Sequence, residues 1–234
     1  MITIESLTTT AVFVFTFLLI AYFFLKVKDK YSGKDDIGKS LDEISMLLDI
    51  GTEKDAKLAL KKTQNLMKNT LLLKNQHLFT DAKIKEAIAY ITLSEFNNKE
   101  SNLDTGITIL KEIIEKGGKR EYKFYWAAAL NSLGGAYCTL SKIRNKDELL
   151  SNAIDSFKKA LTFFGNKRYP IEYAMTQCNL GNAYKEMAEI NNSKEHIDLA
   201  IVSFEKSLKA FTKEKYPDQN KIIEENLMSL KSIK

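Results

Sequence analysis

An internal repeat of 47 residues is the feature of this sequence that most constrains its fold. The stretch NSLGGAYCTL, residues 131–140, recurs as CNLGNAYKEM, residues 178–187. At the same spacing, AIDSFKKAL at 153–161 recurs as AIVSFEKSL at 200–208. Repeats of about 20 to 50 residues are typical of arrays in which each unit packs against its neighbours. Weaker matches extend the repeat in both directions, so residues 37–234 are predicted to form one such array.

The composition of the chain favours an all-α fold. Only 2 of the 234 residues are proline and 10 are glycine. No segment shows the sustained alternation of apolar and polar residues that a sheet requires. Each repeat is predicted to form two antiparallel helices, the first over about 122–141 and the second over about 148–164. The polar turn between them offers Asn145 or Asp147 as an N-cap, and the turn of the next repeat offers Ser193.

Two consecutive glycines in the middle of the first helix need an explanation, because each costs about 1 kcal/mol relative to alanine in a helix. Gly134 recurs as Gly181 in the next repeat. We expect both to let two helices approach closely, opposite the small residues Ala153 and Ala200. Gly135 has no glycine counterpart and is predicted to be incidental to the packing.

These residues resemble the tetratricopeptide repeat, whose first helix carries L-G-x-x-Y, whose second helix carries A-x-x-x-F-x-x-A, and which closes on a proline. The matching residues in one repeat are Leu133, Gly134, Tyr137, Ala153, Phe157, Ala160 and Pro170. Those in the next repeat are Leu180, Gly181, Tyr184, Ala200, Phe204 and Pro217, with Ser207 in place of the last alanine. The usual unit has about 34 residues. The unit of 47 residues is similar to the long-unit variant of the family. The resemblance implies a right-handed α-solenoid of antiparallel helix pairs.

The N-terminal region is predicted to be a single transmembrane helix. No charged residue occurs from Ser6 to Leu25. The 19 residues 7–25 span about 28 Å as a helix, close to the hydrocarbon thickness of a bilayer. A cleaved signal peptide is the rival interpretation. It is disfavoured because no Lys or Arg precedes the apolar run, and because FFLKVKDK, at its end, is a poor cleavage site.

The predicted organisation is a tail and transmembrane helix over 1–25, a polar linker over 26–36 and the repeat domain over 37–234. Four lysines lie within ten residues after the span, and no basic side chain precedes it. The positive-inside rule therefore predicts a single-pass protein of the cell membrane whose C-terminal domain is cytoplasmic.

The sequence carries no motif that indicates catalysis. No CxxC, HExxH, glycine-rich phosphate loop or nucleophile elbow occurs. His77 and His196 fall at unrelated places in the repeat and are expected to face solvent or to cap a helix. Cys138 and Cys178 lie within helical patterns and are expected to be buried or half-buried thiols, since two cysteines make no disulfide framework. Neither an enzyme nor a bound cofactor or metal is predicted.

The charge pattern indicates a solvated surface. Acidic residues tend to precede lysine by four positions, as Glu112 precedes Lys116, which is the spacing of pairs on the outer face of a helix. The net charge of +5 is spread along the chain with both signs interspersed. This pattern argues against nucleic acid as a partner.

The resemblance implies a concave face, lined by the first helices, that binds peptides or helices of a partner protein. The candidate groove residues are Asn131, Cys138, Cys178, Asn182 and Lys185. The polar turns RNKDE and NNSKE, which project from one edge of the array, are either a second contact surface or tolerated loops.

The prediction is a membrane-anchored scaffold or adaptor that holds a partner protein. Two alternatives stay open: a regulatory sensor subunit of a membrane-associated effector complex, and a chaperone-like factor if the topology is reversed. A homo-oligomer is compatible with the sequence but is not indicated by it.

Overall fold

The computed structural model describes residues 36–69, 72–73, 75–116, 122–165 and 167–232. The regular structure of these residues is entirely helical, which confirms the predicted all-α fold over the part described. Nine helices are defined there: α1 (Asp36–Ile50), α2 (Glu53–Leu66), α3 (Gln76–Leu93), α4 (Lys99–Lys116), α5 (Lys123–Ser141), α6 (Lys146–Leu161), α7 (Pro170–Asn191), α8 (Lys194–Leu208) and α9 (Pro217–Ser232).

The helices follow the repeat. The helices α3, α5, α7 and α9 begin at Gln76, Lys123, Pro170 and Pro217, each 47 residues after the one before. Proline suits the first position of α7 and α9, because its fixed φ matches the helix and its missing N–H would have no partner inside the helix.

The short turns inside the helix pairs also share the period. Gly51, Asn98, Asn145 and Asn192 all have positive φ, at 70°, 43°, 45° and 47°, and they stand 47 residues apart. Glycine and asparagine are the residues that adopt the left-handed region most readily. The same backbone turn is therefore present in four successive units, including the unit that begins at α1.

The capping predictions have different outcomes. Ser193 caps α8 as expected, because its hydroxyl accepts a hydrogen bond of 3.3 Å from the backbone N–H of His196. Asn145 stands at the N-cap of α6, but its backbone is left-handed and its side chain makes no capping hydrogen bond. The residue serves the turn through its backbone conformation, so the predicted capping by its side chain is wrong.

The described residues divide into two compact units, 36–132 and 133–232. In the first unit α1 packs on α2 and α3, α2 packs on α3, and α3 packs on α4. In the second unit α6 packs on α7, α7 on α8, and α8 on α9. Adjacent helices therefore pack in pairs within each unit, as the repeat predicted.

The glycines of the second unit lie against phenylalanine rings. A Cβ atom at Gly134 would lie 2.5 Å from a ring carbon of Phe157, and one at Gly181 would lie 2.9 Å from a ring carbon of Phe204. The predicted close approach at these two glycines is therefore correct, and the nearest atoms belong to the phenylalanine rings of the second helices. A Cβ at Gly135 would meet nothing within 4 Å, so the second glycine is incidental to this contact.

In the first unit, the glycine that allows the close approach lies on the second helix of the pair and not on the first. A Cβ at Gly106 of α4 would lie 2.9 Å from the carbonyl oxygen of Ala87 in α3. In the 47-residue register, Ala87 corresponds to Gly134 and Leu110 corresponds to Phe157. Where no phenylalanine ring must be accommodated, the first helix carries alanine instead of glycine.

The predicted transmembrane helix and the linker up to residue 35 lie outside the described residues. Of the helices that the structure does describe, none is both long enough and apolar enough to cross a bilayer.

The two neighbouring glycines should respond in opposite ways to alanine. We expect Gly134→Ala to lower the free energy of unfolding by about 1–3 kcal/mol, because the new methyl group overlaps the ring of Phe157. Gly135→Ala has open space and should raise it by about 0.5–1 kcal/mol, because alanine is the better helix former. Urea unfolding of both variants measures this. Equal effects of the two substitutions on the free energy of unfolding would contradict the contact between Gly134 and Phe157. Adding Phe157→Leu should restore part of the stability that Gly134→Ala loses.

The left-handed turn residue offers a second test of the fold. Asn145→Ala should destabilise the chain by about 1 kcal/mol, because alanine pays a steric cost at positive φ. Asn145→Gly should cost nothing or be slightly stabilising, since glycine adopts this conformation freely. Thermal unfolding of the two variants checks the prediction. A loss in both variants alike would mean that the asparagine side chain is what matters there.

Candidate binding surfaces

The predicted repeat-packing residues lie mostly in the core. The buried ones are Leu133, Gly134, Ala153, Phe157, Ala160, Leu180, Gly181, Tyr184, Ala200 and Phe204. Tyr137 and Pro170 are partly exposed, and Pro217 is exposed. These residues hold helices together and offer a partner little surface.

The predicted groove residues differ in how much surface they offer. Asn131, Cys138 and Cys178 are all less than a tenth exposed, so they contribute little contact area. Asn182 and Lys185 of α7 are partly exposed. Lys185 donates a hydrogen bond of 2.9 Å to the side-chain oxygen of Asn226 in α9, which fixes it on the neighbouring helix.

The two cysteines are poor nucleophiles in the folded protein. Burial raises the pKa of Cys178 to about 12. Burial also raises the pKa of Cys138, and the nearby carboxylate of Glu186 raises it further. Because the thiolate is the reactive form, both thiols are inert at neutral pH.

The first unit contains a cavity of about 410 Å³, here called the aromatic pocket. It lies between the start of α3, the end of α4 and the segment where α5 begins. Its apolar lining consists of Phe79, Ile109, Ile113, Tyr122, Tyr125 and Trp126. Its polar lining consists of Gln76, Thr80, Lys83, Glu112 and Lys116. A cavity of this size with an aromatic wall and a few polar groups has the character of a binding site.

Ring contacts hold the wall of the aromatic pocket in place. The ring of His77 lies 4.8 Å from the ring of Tyr122 and 5.7 Å from that of Tyr125, measured between centroids. The sequence predicts that His77 faces solvent or caps a helix. It lies at the second position of α3 and packs on two aromatic residues of the pocket.

The charged groups of the aromatic pocket are not equivalent. The ammonium of Lys83 lies 2.9 Å from the carboxylate of Glu86, whose side chain is only 9% exposed. This ion pair fixes Lys83 in the wall. Glu112 and Lys116 are exposed, as the sequence predicted for this pair, and both can reach a ligand at the mouth of the pocket.

One position in the lining of the aromatic pocket differs from its counterpart in the next repeat. Tyr122 corresponds in register to Tyr169, and Lys116 corresponds to Phe163. In the second unit Phe163 stacks on Tyr169 with 5.3 Å between the ring centroids. Lysine replaces that phenylalanine in the first unit. The same position is Asn69 and Ala210 in the other repeats, so no shared pattern in the sequence marks the pocket.

A buried ionic cluster lies elsewhere in the first unit. Lys85 of α3 is fully buried, and its ammonium donates to a carboxylate oxygen of Asp81 at 3.1 Å. Asp42 and Asp49 of α1 act on the same ammonium electrostatically. The expectation that acidic residues lie on solvated faces is therefore wrong for Asp81, which is 4% exposed.

Burial sets the protonation behaviour of this cluster. It lowers the pKa of Lys85 and raises that of Asp81, because each charged form is removed from water. Burial raises the pKa of Asp49 to about 7, although Lys85 acts in the opposite direction. The pair of Lys85 and Asp81 is enclosed, and the electrostatic interactions of Lys85 with Asp42 and Asp49 link α3 to α1, so the role of the cluster is structural.

Comparison with known proteins found no match: no protein-family model and no curated protein matches this chain. The likeness to the tetratricopeptide repeat therefore rests on the residues of the chain alone. Among the described residues, no group of three or more His, Cys, Asp and Glu is placed to hold a metal ion.

The raised pKa of Asp49 predicts a pH dependence of stability. Its carboxyl group titrates near pH 7 in the folded chain and near pH 4 in the unfolded chain. Its contribution to the stability of the fold is therefore present at low pH and is lost as the pH rises from about 4 to about 7. Asp49→Asn removes this titration. Its stability relative to the natural chain should therefore rise by roughly 1–2 kcal/mol between pH 5 and pH 8.

Urea unfolding at the two pH values measures this change. Asp155→Asn, at a carboxylate that is 59% exposed, is the control for loss of a negative charge from the surface. A difference between Asp49→Asn and the natural chain that is the same at both pH values would show that Asp49 does not titrate in this way.

Proposed function

We propose that the chain is a membrane-anchored helical-repeat adaptor that binds a partner protein with its repeat domain. The observation that carries the proposal is the 47-residue recurrence of helix starts and left-handed turn residues. Repeats that pack on their neighbours build a scaffold with a long exposed surface, and such scaffolds serve mainly to bind other proteins. A right-handed solenoid of the tetratricopeptide type is the architecture that best accounts for this recurrence.

The proposed anchor is the apolar segment 7–25. Attachment to the membrane would raise the effective concentration of the bound partner for other membrane components, without any further contact. The lysines that follow the segment support a cytoplasmic position for the repeat domain.

The chemistry of the described residues supports binding more than catalysis. The two thiols are buried and have raised pKa values, and the buried ion pair of Lys85 with Asp81 is enclosed by the core. The aromatic pocket offers apolar surface with charged groups at its mouth, which suits recognition of another molecule.

Affinity capture of the full-length protein from detergent-solubilised native membranes tests the proposal. Mass spectrometry should identify a partner in stoichiometric amount. The control bait is residues 1–36, which retains the predicted anchor and lacks the repeat domain. Recovery of the same proteins with both baits, or of the bait alone, would contradict an adaptor.

A further inference from the structure

The first helix pair of the described chain, α1 and α2, leaves one of its sides uncovered. Both helices pack on α3, so their exposed stripes face away from it. Steps of four and three residues place each stripe along one side of its helix. The two stripes together are here called the terminal face: Lys39, Glu43, Met46 and Ile50 of α1, with Lys54, Leu58, Lys61 and Asn65 of α2 and Lys68 just after it.

An ion pair joins the two stripes into one surface. The ammonium of Lys62 on α2 lies 2.8 Å from the carboxylate of Glu43 on α1. A connection of two residues makes α1 and α2 antiparallel. Counting four residues from each member of the ion pair therefore places Leu58 level with Leu47, the residue after Met46. The exposed apolar side chains of the two helices thus lie on the same part of the surface.

Three large apolar side chains are exposed on the terminal face. Met46 is 62% exposed, Ile50 is 61% exposed and Leu58 is 39% exposed. One exposed apolar side chain needs no explanation, but three on one side of one helix pair form a patch. The outermost helices of repeat arrays usually carry a polar outer face, which keeps the chain soluble. The terminal face departs from that rule, which indicates that another surface covers it.

The terminal face is also basic. Lys39, Lys54, Lys61 and Lys68 are exposed and form no ion pair with the described residues. Acidic side chains of the same helices do not cancel these charges, because each one that the structure describes already interacts within the chain: Glu43 with Lys62, Glu53 with Lys57, Asp55 with Thr52, and Asp42 and Asp49 with Lys85.

The place of the terminal face in the chain indicates which surface covers it. Residue 36, where α1 begins, lies 11 residues after residue 25, the end of the apolar segment 7–25. Eleven residues reach at most about 40 Å, so a bilayer that holds this segment keeps the start of α1 close to its surface. Such a tether gives the membrane a high effective concentration at the terminal face.

The charges favour this membrane over a second copy of the chain. Two copies that pair through their terminal faces would bring two sets of four lysines together, and like charges across an interface are unfavourable. An anionic bilayer offers phosphate groups to the lysines and an apolar interior to the side chains between them. Exposed apolar residues framed by lysine are typical of helices that lie on anionic lipid.

We infer that the terminal face docks on the surface of an anionic membrane. Met46, Ile50 and Leu58 enter the boundary between the headgroups and the acyl chains, and the four lysines lie against lipid phosphates. This docking rests on the proposed membrane anchor. It adds a second, reversible contact that orients the first unit on the bilayer.

An environment-sensitive dye on one introduced cysteine tests the docking. Met46→Cys places the dye on the terminal face. Met228→Cys is the matched control, since Met228 of α9 is 69% exposed in the other unit. The natural thiols of Cys138 and Cys178 are buried and react slowly in the folded chain. The labelled full-length protein is reconstituted into vesicles of phosphatidylcholine alone or of phosphatidylcholine mixed with phosphatidylserine.

The expected result is a blue shift of the dye at position 46, together with quenching by nitroxide-labelled lipid, in the vesicles that contain phosphatidylserine. High salt should reverse both effects, because it screens the attraction between lysine and anionic lipid. The dye at position 228 should show neither effect. The same response at both positions, or in phosphatidylcholine alone, would overturn the inference. A shift that follows the ratio of protein to lipid and ignores phosphatidylserine would assign the face to a second copy instead.

Charge reversal tests whether the lysines are the cause. Lys54→Glu combined with Lys61→Glu should lower the ratio of docked to undocked protein by at least about tenfold, since each lysine near an anionic surface strengthens binding about fivefold. Lys206→Glu combined with Lys209→Glu makes the same change of net charge at exposed positions in the other unit and should leave the dye response unchanged. Equal losses in the two double variants, with unchanged circular dichroism, would show that net charge and not the terminal face is responsible.

Two further measurements separate the docking from the proposed function. Resistance of the natural chain to extraction by alkaline carbonate tests the anchor. Extraction of the chain, together with a dye response on added anionic vesicles, would remove the anchor and leave the docking standing. Capture of a stoichiometric partner from native membranes, together with no dye response, would leave the adaptor function standing and overturn the docking.

Discussion

The close contact between a glycine backbone and a phenylalanine ring is the constraint on which the second unit depends. Gly134 faces Phe157 and Gly181 faces Phe204, in both cases so closely that a methyl group would overlap the ring. The ring takes the space that a side chain at the glycine would need, so the two helices of each pair pack closely at this point. The helix-weakening glycine is tolerated for this reason, and it recurs with the repeat.

The first unit satisfies the same need with other residues. Leu110 stands in the register of Phe157, and Ala87 stands in that of Gly134. The close approach is then provided by Gly106 in the second helix of the pair. The period of 47 residues is thus preserved in the backbone, through helix starts and left-handed turns, while the side chains that fill each pair change together.

Sequence periodicity predicted that the helices are arranged in pairs along the chain, because it follows backbone geometry directly. It could not identify side-chain partners, since the reach of Phe157 toward Gly134 depends on rotamers. It also could not separate Asp81 and Lys85, which are buried, from Asp155 and Lys159, which are more than half exposed. Both pairs have the same spacing of four residues, and only the packing of other helices decides which pair water reaches.

The aromatic pocket was hidden from sequence reasoning for a related reason. Its lining comes from three helices, and aromatic residues at helical spacing read as ordinary core. The position of Lys116 also varies between repeats, being Asn69, Phe163 and Ala210 in the others, so the register does not mark the pocket. Only the packing of α3, α4 and the start of α5 brings these side chains around one cavity, so a comparison of aligned repeats could not predict it.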